Sequence, residues 1–404
     1  MLAGRNFLED ITYANIAHND RGSMDPDNNK SGYMQILAAA VAVALEDCSL
    51  GSIKWNYETG LLLYALSVVS ERFFCGLFGA SVRERLDELI LNDGTIRGYS
   101  IDEYNLDQIN AGKVVFRVWK ATGADAYLKA IRMLAEQLDN QPRTPSGSYW
   151  HKKIYPNQVW LDGLYMFGPF QARYAVECNR PELIDDLCSQ FLAVRGTMRH
   201  EGTGLYYHAK DESGVSLWAY PKTGCSPHVW ARAAGWLSMA LVDSLDWIPG
   251  AHVQRSELEA MLADLLDAII RAQQASGLWL QVMDCPSEPG NYEETSASAI
   301  FVYSLFKSAR KGYWRNQAQA ATWKRAAHAA LRGIVARKVS WECHEGRIPR
   351  LHLGGICEVA GLGGTPYRDG SFEYYIREPI VADDFKGMGP FILALGEELE
   401  LLHG

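Results

Sequence analysis

This sequence contains no HExxH motif, no P-loop and no strand-associated GxGxxG, and its histidines show no metal-ligand spacing. Those absences remove zinc peptidases, P-loop nucleotide hydrolases and dinucleotide-dependent redox enzymes. The run "GLGGT" near Gly361 is glycine-rich but lacks a preceding strand and a Lys-Ser/Thr ending. Eight cysteines (Cys48, Cys75, Cys178, Cys188, Cys225, Cys285, Cys343 and Cys357) fall singly along 404 residues, with no CxxC pair. That describes reduced, mostly buried thiols rather than a disulfide framework or a zinc knuckle. Positive charge is also short, with 39 Lys and Arg against 48 Asp and Glu and a net charge of -9, so nothing suggests a phosphate-tracking surface or a nucleic-acid partner. The most apolar run, "ILAAAVAVAL" at 36–45, is too short to span a bilayer. The opening "MLAGRNFLEDITYANIAHNDRG" carries charge where a signal peptide needs an apolar stretch. The expectation is a cytoplasmic protein with no membrane contact, although a chain already trimmed of a signal would read the same.

What is present is helical periodicity. "RERLDELIL", "AYLKAIRMLAEQL", "SELEAMLADLLDAIIRAQQ" and "WKRAAHAALRGIVAR" repeat apolar residues at helical spacing, and β-type alternation is scarce. Six further segments begin with an aromatic or charged cluster, pass through Gly, Ala or Ser, and continue as an apolar run. They are "WNYETGLLLYALSVV", "NLDQINAGKVVFRVW", "VWLDGLYMFGPFQARYA", "VWARAAGWLSMALV", "NYEETSASAIFVYSLF" and "DDFKGMGPFILALGEEL". Small residues at the head of each run let backbones approach closely, and polar residues at a helix N-terminus meet free N–H groups and the positive dipole end. Six such helices alternating with six amphipathic outer ones describe an α/α toroid with its functional clusters gathered at one end. The expected organisation is a single domain over 1–404, with 1–31 as an N-terminal extension.

The chemistry-bearing residues sit at the heads of these runs. Asp162 follows Trp160, precedes Gly163, and has His151, Lys152 and Lys153 upstream. An aromatic wall, room for close approach and nearby cations suit a carboxyl that must donate a proton, whereas the bland reading is an N-cap. Asp107 in "NLDQIN" occupies the matching place one inner helix earlier, so two carboxylates face one cleft, as glycoside cleavage requires; it too reads alternatively as a cap. His208 lies in a polar, hairpin-like loop with Tyr206 and Tyr207. Arg232 and Trp236 in "VWARAAGW" are four apart on one helix face, and an arginine in an apolar helix start needs an anion. The glycine-rich stretch from Leu351 to Glu378 reads as a long loop that contributes Tyr367, Arg368, Asp369 and Tyr374 to the cleft rim.

In their order and wording, "WNYETG", "NLDQINAGK", "HKKIYPNQVWLDGLYMFGPF", "GLYYHAKDE", "VWARAAGW" and "GSFEYYIREPIVADDFKGMGPFILAL" resemble the unsaturated rhamnogalacturonyl hydrolases of glycoside hydrolase family 105. The resemblance runs from about Gly32 to the C-terminus and implies an (α/α)6 barrel, in agreement with the six-segment count. It implies Asp162 as general acid/base and Asp107 as the second active-site carboxylate. It also implies Tyr57, His151, Trp160, His208, Arg232 and Trp236 as substrate contacts. Glu58 and Thr59 depart from the expected motif and make Tyr57 the loosest of these. The implied substrate is an oligosaccharide with a C4=C5 double bond in its terminal uronic acid, whose carboxylate Arg232, His208 or the Lys152/Lys153 pair would hold. No metal or cofactor is implied. Three other functions stay open: an unsaturated glucuronyl hydrolase for glycosaminoglycan fragments, a sugar 2-epimerase using paired histidines among His151, His208 and His228, and a sugar-binding protein without turnover.

Overall fold

The structure, a computed structural model, describes residues 29–344 and 349–402. In chain order its helices are α1 (Asn29–Asp47), α2 (Tyr57–Phe73), α3 (Gly79–Leu89), α4 (Gly112–Thr122), α5 (Asp125–Asp139), α6 (Leu161–Glu177) and α7 (Glu182–Thr197). Then come α8 (Ala231–Ser244), α9 (Arg255–Arg271), α10 (Thr295–Lys311), α11 (Gln317–Arg337), the short α12 (Phe372–Arg377) and α13 (Phe385–Leu401). Helices α2, α4, α6, α8, α10 and α13 pack each on the next, and α13 returns to α2, closing a ring. Each has an outer partner: α3, α5, α7, α9 and α11 for the first five, and α1 for α13. This is the (α/α)6 toroid.

The most apolar run of the sequence finds its place in this closure. Leu37, Ala38, Ala40 and Val41 of α1 are buried against α13, so the first described helix covers the last inner one. The six small-residue segments are the six inner helices. Gly60 shows why the small residues are needed: a Cβ there would lie 2.6 Å from the Cα of Ala111 at the head of the next inner helix, and only glycine allows that approach. Because outer helices alternate with inner ones, all inner helices run the same way and their N-termini share one mouth.

Among the described residues the strands form three two-stranded antiparallel ribbons, β1 (Gln158–Trp160) with β2 (Ala209–Asp211), β3 (Val339–Glu342) with β4 (Arg350–Leu353), and β5 (Ile356–Cys357) with β6 (Ile380–Val381), besides isolated bridges such as Ile90 with Ile96. The stretch expected as one long loop from Leu351 therefore contains most of β4, all of β5, and α12. The reason is a two-residue alternation, with Leu351 and Leu353 buried and His352 facing outward, which pairs β4 to β3. Of the expected N-terminal extension, 1–28 lie outside the described residues, while 29–31 already belong to α1. All eight cysteines are free; Cys48, Cys188, Cys225 and Cys357 are buried, whereas Cys75 and Cys343 are exposed. No described helix is long and apolar enough to cross a membrane.

Candidate active site

Asp162 is the second residue of α6, and Trp160, not Asp162, occupies the N-cap position. Its carboxyl is therefore free of capping duty. The β1–β2 ribbon sets its neighbour: Trp160 pairs with Ala209, and the Leu161 N–H donates to the His208 carbonyl at 3.1 Å. That register carries the His208 ring to Asp162, with Nε2 3.3 Å from Oδ2. His208 is fully buried and Asp162 is 14% exposed. On the other side of the ring, His208 Nδ1 lies 2.9 Å from the Tyr375 hydroxyl. Burial pushes that phenol well up, so it keeps its proton and is able to donate it to Nδ1. Between His208 Nε2 and Asp162 Oδ2 there is a 3.3 Å contact without hydrogen-bond geometry.

Asp107 lies on the 3₁₀ turn Leu106–Ile109, where Asn105 supplies the cap by accepting from the Asp107 N–H at 3.1 Å. Its two oxygens meet Lys152 Nζ at 2.5 Å and His151 Nε2 at 3.5 Å. Burial alone would raise the Asp107 carboxyl; the Lys152 ammonium, and then His151, outweigh it and hold the group below the usual carboxylate range. Asp107 is thus an anion at neutral pH. His151 is pushed down to about 4, chiefly by burial, and is neutral there. Its backbone clamps the two carboxylate segments together: the His151 N–H donates to the Gln158 carbonyl at 2.9 Å, and its carbonyl accepts from the Leu106 N–H at 3.1 Å. Gly163 makes the same approach possible, because a Cβ there would come within 3.2 Å of His151 Nδ1.

Trp160 is the centre of an aromatic group. His151 and Tyr155 both stack on it, at 4.9 and 5.2 Å between centroids, and His208 meets its edge at 5.1 Å. A hydrogen bond from Nε1 to Gln158 Oε1 at 3.0 Å fixes the indole. Tyr57 heads α2, and its phenol is pushed well up, first by burial and then by Glu58, with Arg232, Asp107 and Asp162 also acting on it. It is thus close to all three of these groups.

Arg232 is 1% exposed and largely engaged by the protein. Nη1 donates to the Cys357 carbonyl at 2.6 Å and to Ser296 Oγ at 3.1 Å, and Nη2 donates to the Glu358 carbonyl at 3.4 Å. The anion it faces is buried Glu294, 4.0 Å away, which caps α10 by accepting from the Ala297 N–H at 2.6 Å. Trp236, one turn further along α8, is 1% exposed and stacks on Tyr165 at 5.0 Å, filling the barrel. The structure thus brings Asp107, His151, Lys152, Trp160, Asp162 and His208 together, with Tyr57 beside them; Arg232 is held from behind and Trp236 lies inside the wall.

Two residues escaped the sequence reading. Tyr375, the partner of His208, is buried three positions after buried Phe372, an i,i+3 pair on one helix face that singles it out over half-buried Tyr374. Glu294 carries no signal, since its meaning lies in Arg232, 62 positions earlier. Among the described residues, His228, Asp284 and Cys285 bring three ligand atoms within 4.8 Å, one short of a closed structural zinc site, and His228 Nδ1 is already 2.9 Å from Asp284.

Comparison with known proteins agrees with this architecture. The family model described as Glycosyl Hydrolase Family 88 matches residues 41–402. A solved glycoside hydrolase from family 105 of C. acetobutylicum ATCC 824 is 40% identical, covers 91% of this chain and 99% of its own, and superposes with a TM-score of 0.84. Protein Atu3128 of Agrobacterium fabrum is 45% identical over 235 residues, 58% of this chain and 98% of its own. The unsaturated rhamnogalacturonyl hydrolase YesR of Bacillus subtilis is 28% identical over 262 residues, 63% of this chain and 71% of its own.

Proposed function

From the premise that this chain belongs to the glycoside hydrolases of families 88 and 105, we propose that it removes the 4,5-unsaturated uronic acid from the non-reducing end of lyase-generated rhamnogalacturonan oligosaccharides. The observation that carries the reading is the contrast between its two carboxyls. Asp107 is tied as an anion by Lys152, whereas Asp162 lies 3.3 Å from His208 Nε2 and has no Lys or Arg paired to it among the described residues. Two carboxyls in unlike surroundings take unlike roles.

Asp162 protonates C4 of the vinyl ether, and positive charge develops at C5 and the ring oxygen. Asp107, already ionised, faces that charge and stabilises it. The Asp162 carboxylate left behind, beside His208 Nε2, takes a proton from water as the hydroxyl adds to C5. The resulting hemiketal opens and expels the neighbouring sugar. The group of rings around Trp160 walls the cleft beside the sugar. The uronate carboxylate is held by Lys152 and by the donors of Arg232 that remain free after its three bonds to Ser296, Cys357 and Glu358. The resemblance to YesR supports the pectin-type substrate. The test is to incubate the purified protein with an unsaturated rhamnogalacturonan disaccharide and, separately, with an unsaturated glycosaminoglycan disaccharide, following loss of the double bond's ultraviolet absorbance. Faster loss with the first is expected. Preference for the second, or no loss with either, overturns the reading.

A further inference from the structure

The opposite mouth of the barrel holds a cavity of about 300 Å³. Asp162 lies in the first turn of α6, whereas the cavity is lined by Arg72, Arg173, Asp243, Lys307 and Lys311 from the C-terminal halves of α2, α6, α8 and α10. None of Asp107, His151, Lys152, Trp160, Asp162 and His208 lines this cavity, so the two sites are separate.

Six cations line this cavity, Arg72, Lys113, Arg117, Arg173, Lys307 and Lys311, against two carboxylates, Asp243 and Asp246. Asp246 and one oxygen of Asp243 are taken: Lys307 lies 2.6 Å from Asp243 Oδ1 and 2.7 Å from Asp246, and Lys311 lies 3.0 Å from Asp246, while Asp243 Oδ2 has no hydrogen-bond partner among the described residues. Arg72 pairs with Glu397 and Arg117 with Glu71. Arg173 is held flat over Phe116 and Trp247, 4.8 and 4.9 Å from their ring centroids. Its Nε has no hydrogen-bond acceptor among the described residues, nor has that of Arg117. Glu177 reaches Arg173 only at 3.8 Å.

Lys113 is the informative member. It is 4% exposed, its ammonium has no acceptor among the described residues, and it rests 3.4 Å from the centroid of Tyr165. Cations in the last turn of a helix complement its dipole and need no ligand to explain them. Lys113 is the second residue of α4, where the dipole disfavours a cation. A buried, unpartnered ammonium is costly unless something supplies the acceptor.

We propose that this mouth is a binding site for a small dianion, with Lys113 at its floor and Arg173 and Lys311 at its wall and rim. Burial pulls the Lys113 amine down to about 7, with Asp243 opposing and Lys307 assisting. The other groups facing it are Tyr64, Tyr165 and Tyr303, all pushed upward, Lys307, held protonated, Asp246, held low, and the guanidinium of Arg173. At pH 8 Lys113 is therefore mostly neutral, and a bound anion draws a proton onto it.

The experiment is calorimetric titration of the whole protein at pH 8 with sulfate, whose charge is constant there, at ionic strength matched with chloride. A second arm uses malonate, which separates a dicarboxylate ligand from a tetrahedral oxyanion. The expected result is saturable one-to-one binding, with a heat that changes with the ionisation enthalpy of the buffer. Lys113→Met should weaken binding at least tenfold and abolish the buffer dependence, and Asp162→Asn should bind as wild type. Lys311→Gln, at a side chain 37% exposed, should weaken binding severalfold without risk to the fold. Absence of saturable heat with both anions, or equal affinity in the Lys113 and Lys311 variants, overturns the proposal.

Discussion

Replacing Lys152 by Met removes the cation 2.5 Å from Asp107 and keeps most of the stem volume. A hydrogen bond to a charged partner contributes about 1.5–3 kcal/mol. Both side chains are under a quarter exposed, so solvent screens little of this. In the wild type the Asp107 carboxyl is held below its ordinary value. It therefore contributes stability that is present above the unfolded value of about 3.9 and is lost as pH falls through the lower folded value. In Lys152→Met the folded value moves up, that contribution disappears, and protonated Asp107 no longer stabilises positive charge at C5. The acid limb of kcat against pH should shift upward. Urea unfolding should show the variant about 1.5–3 kcal/mol less stable at pH 7, the gap narrowing toward pH 3. An acid limb and a stability gap that both stay where the wild type has them would refute the role given to this pair.

Other consequences follow from single contacts. Tyr375→Phe removes the phenol proton from His208 Nδ1, freeing the wrong tautomer; one buried hydrogen bond translates to a loss of about tenfold in kcat with KM little changed, measured by steady-state kinetics. Arg232→Lys keeps charge but loses the planar fork, so KM should rise about tenfold or more and kcat change less; unaltered Michaelis parameters would remove Arg232 from the binding site. Gly60→Ala drives a methyl to within 2.6 Å of the Ala111 backbone and should cost about 1–3 kcal/mol in thermal unfolding, whereas Gly79→Ala, with open space around it, should cost nothing.

The ring was legible in the sequence because each inner helix announces itself locally: Gly60, Gly112, Gly163 and Gly235 stand near the heads of apolar runs, and the close approaches they allow are properties of one position and its neighbour. Asp162 and His208 were legible as candidates through their flanking Trp160 and Tyr207. Their pairing depends on the β1–β2 register, and neither three-residue strand is long enough to show a period. Arg232 advertised a need for an anion, but not that Glu294 and the Cys357 carbonyl meet it, because those partners arrive from helix α10 and strand β5. The second mouth was invisible for the same reason. Its cations run from Arg72 to Lys311 on four helices, and only the closed ring faces them toward one cavity.

The central claim is that Asp162 both gives the proton to C4 and activates the water. Its most direct test is turnover of an unsaturated rhamnogalacturonan disaccharide by Asp162→Asn. The substitution preserves shape, and Asp162 caps nothing that Asn could spoil, so the thermal unfolding midpoint should match the wild type. The rate should fall by at least about 100-fold, the lower bound for a general acid–base group. A folded Asn variant that consumes the double bond at a near wild-type rate would contradict the account.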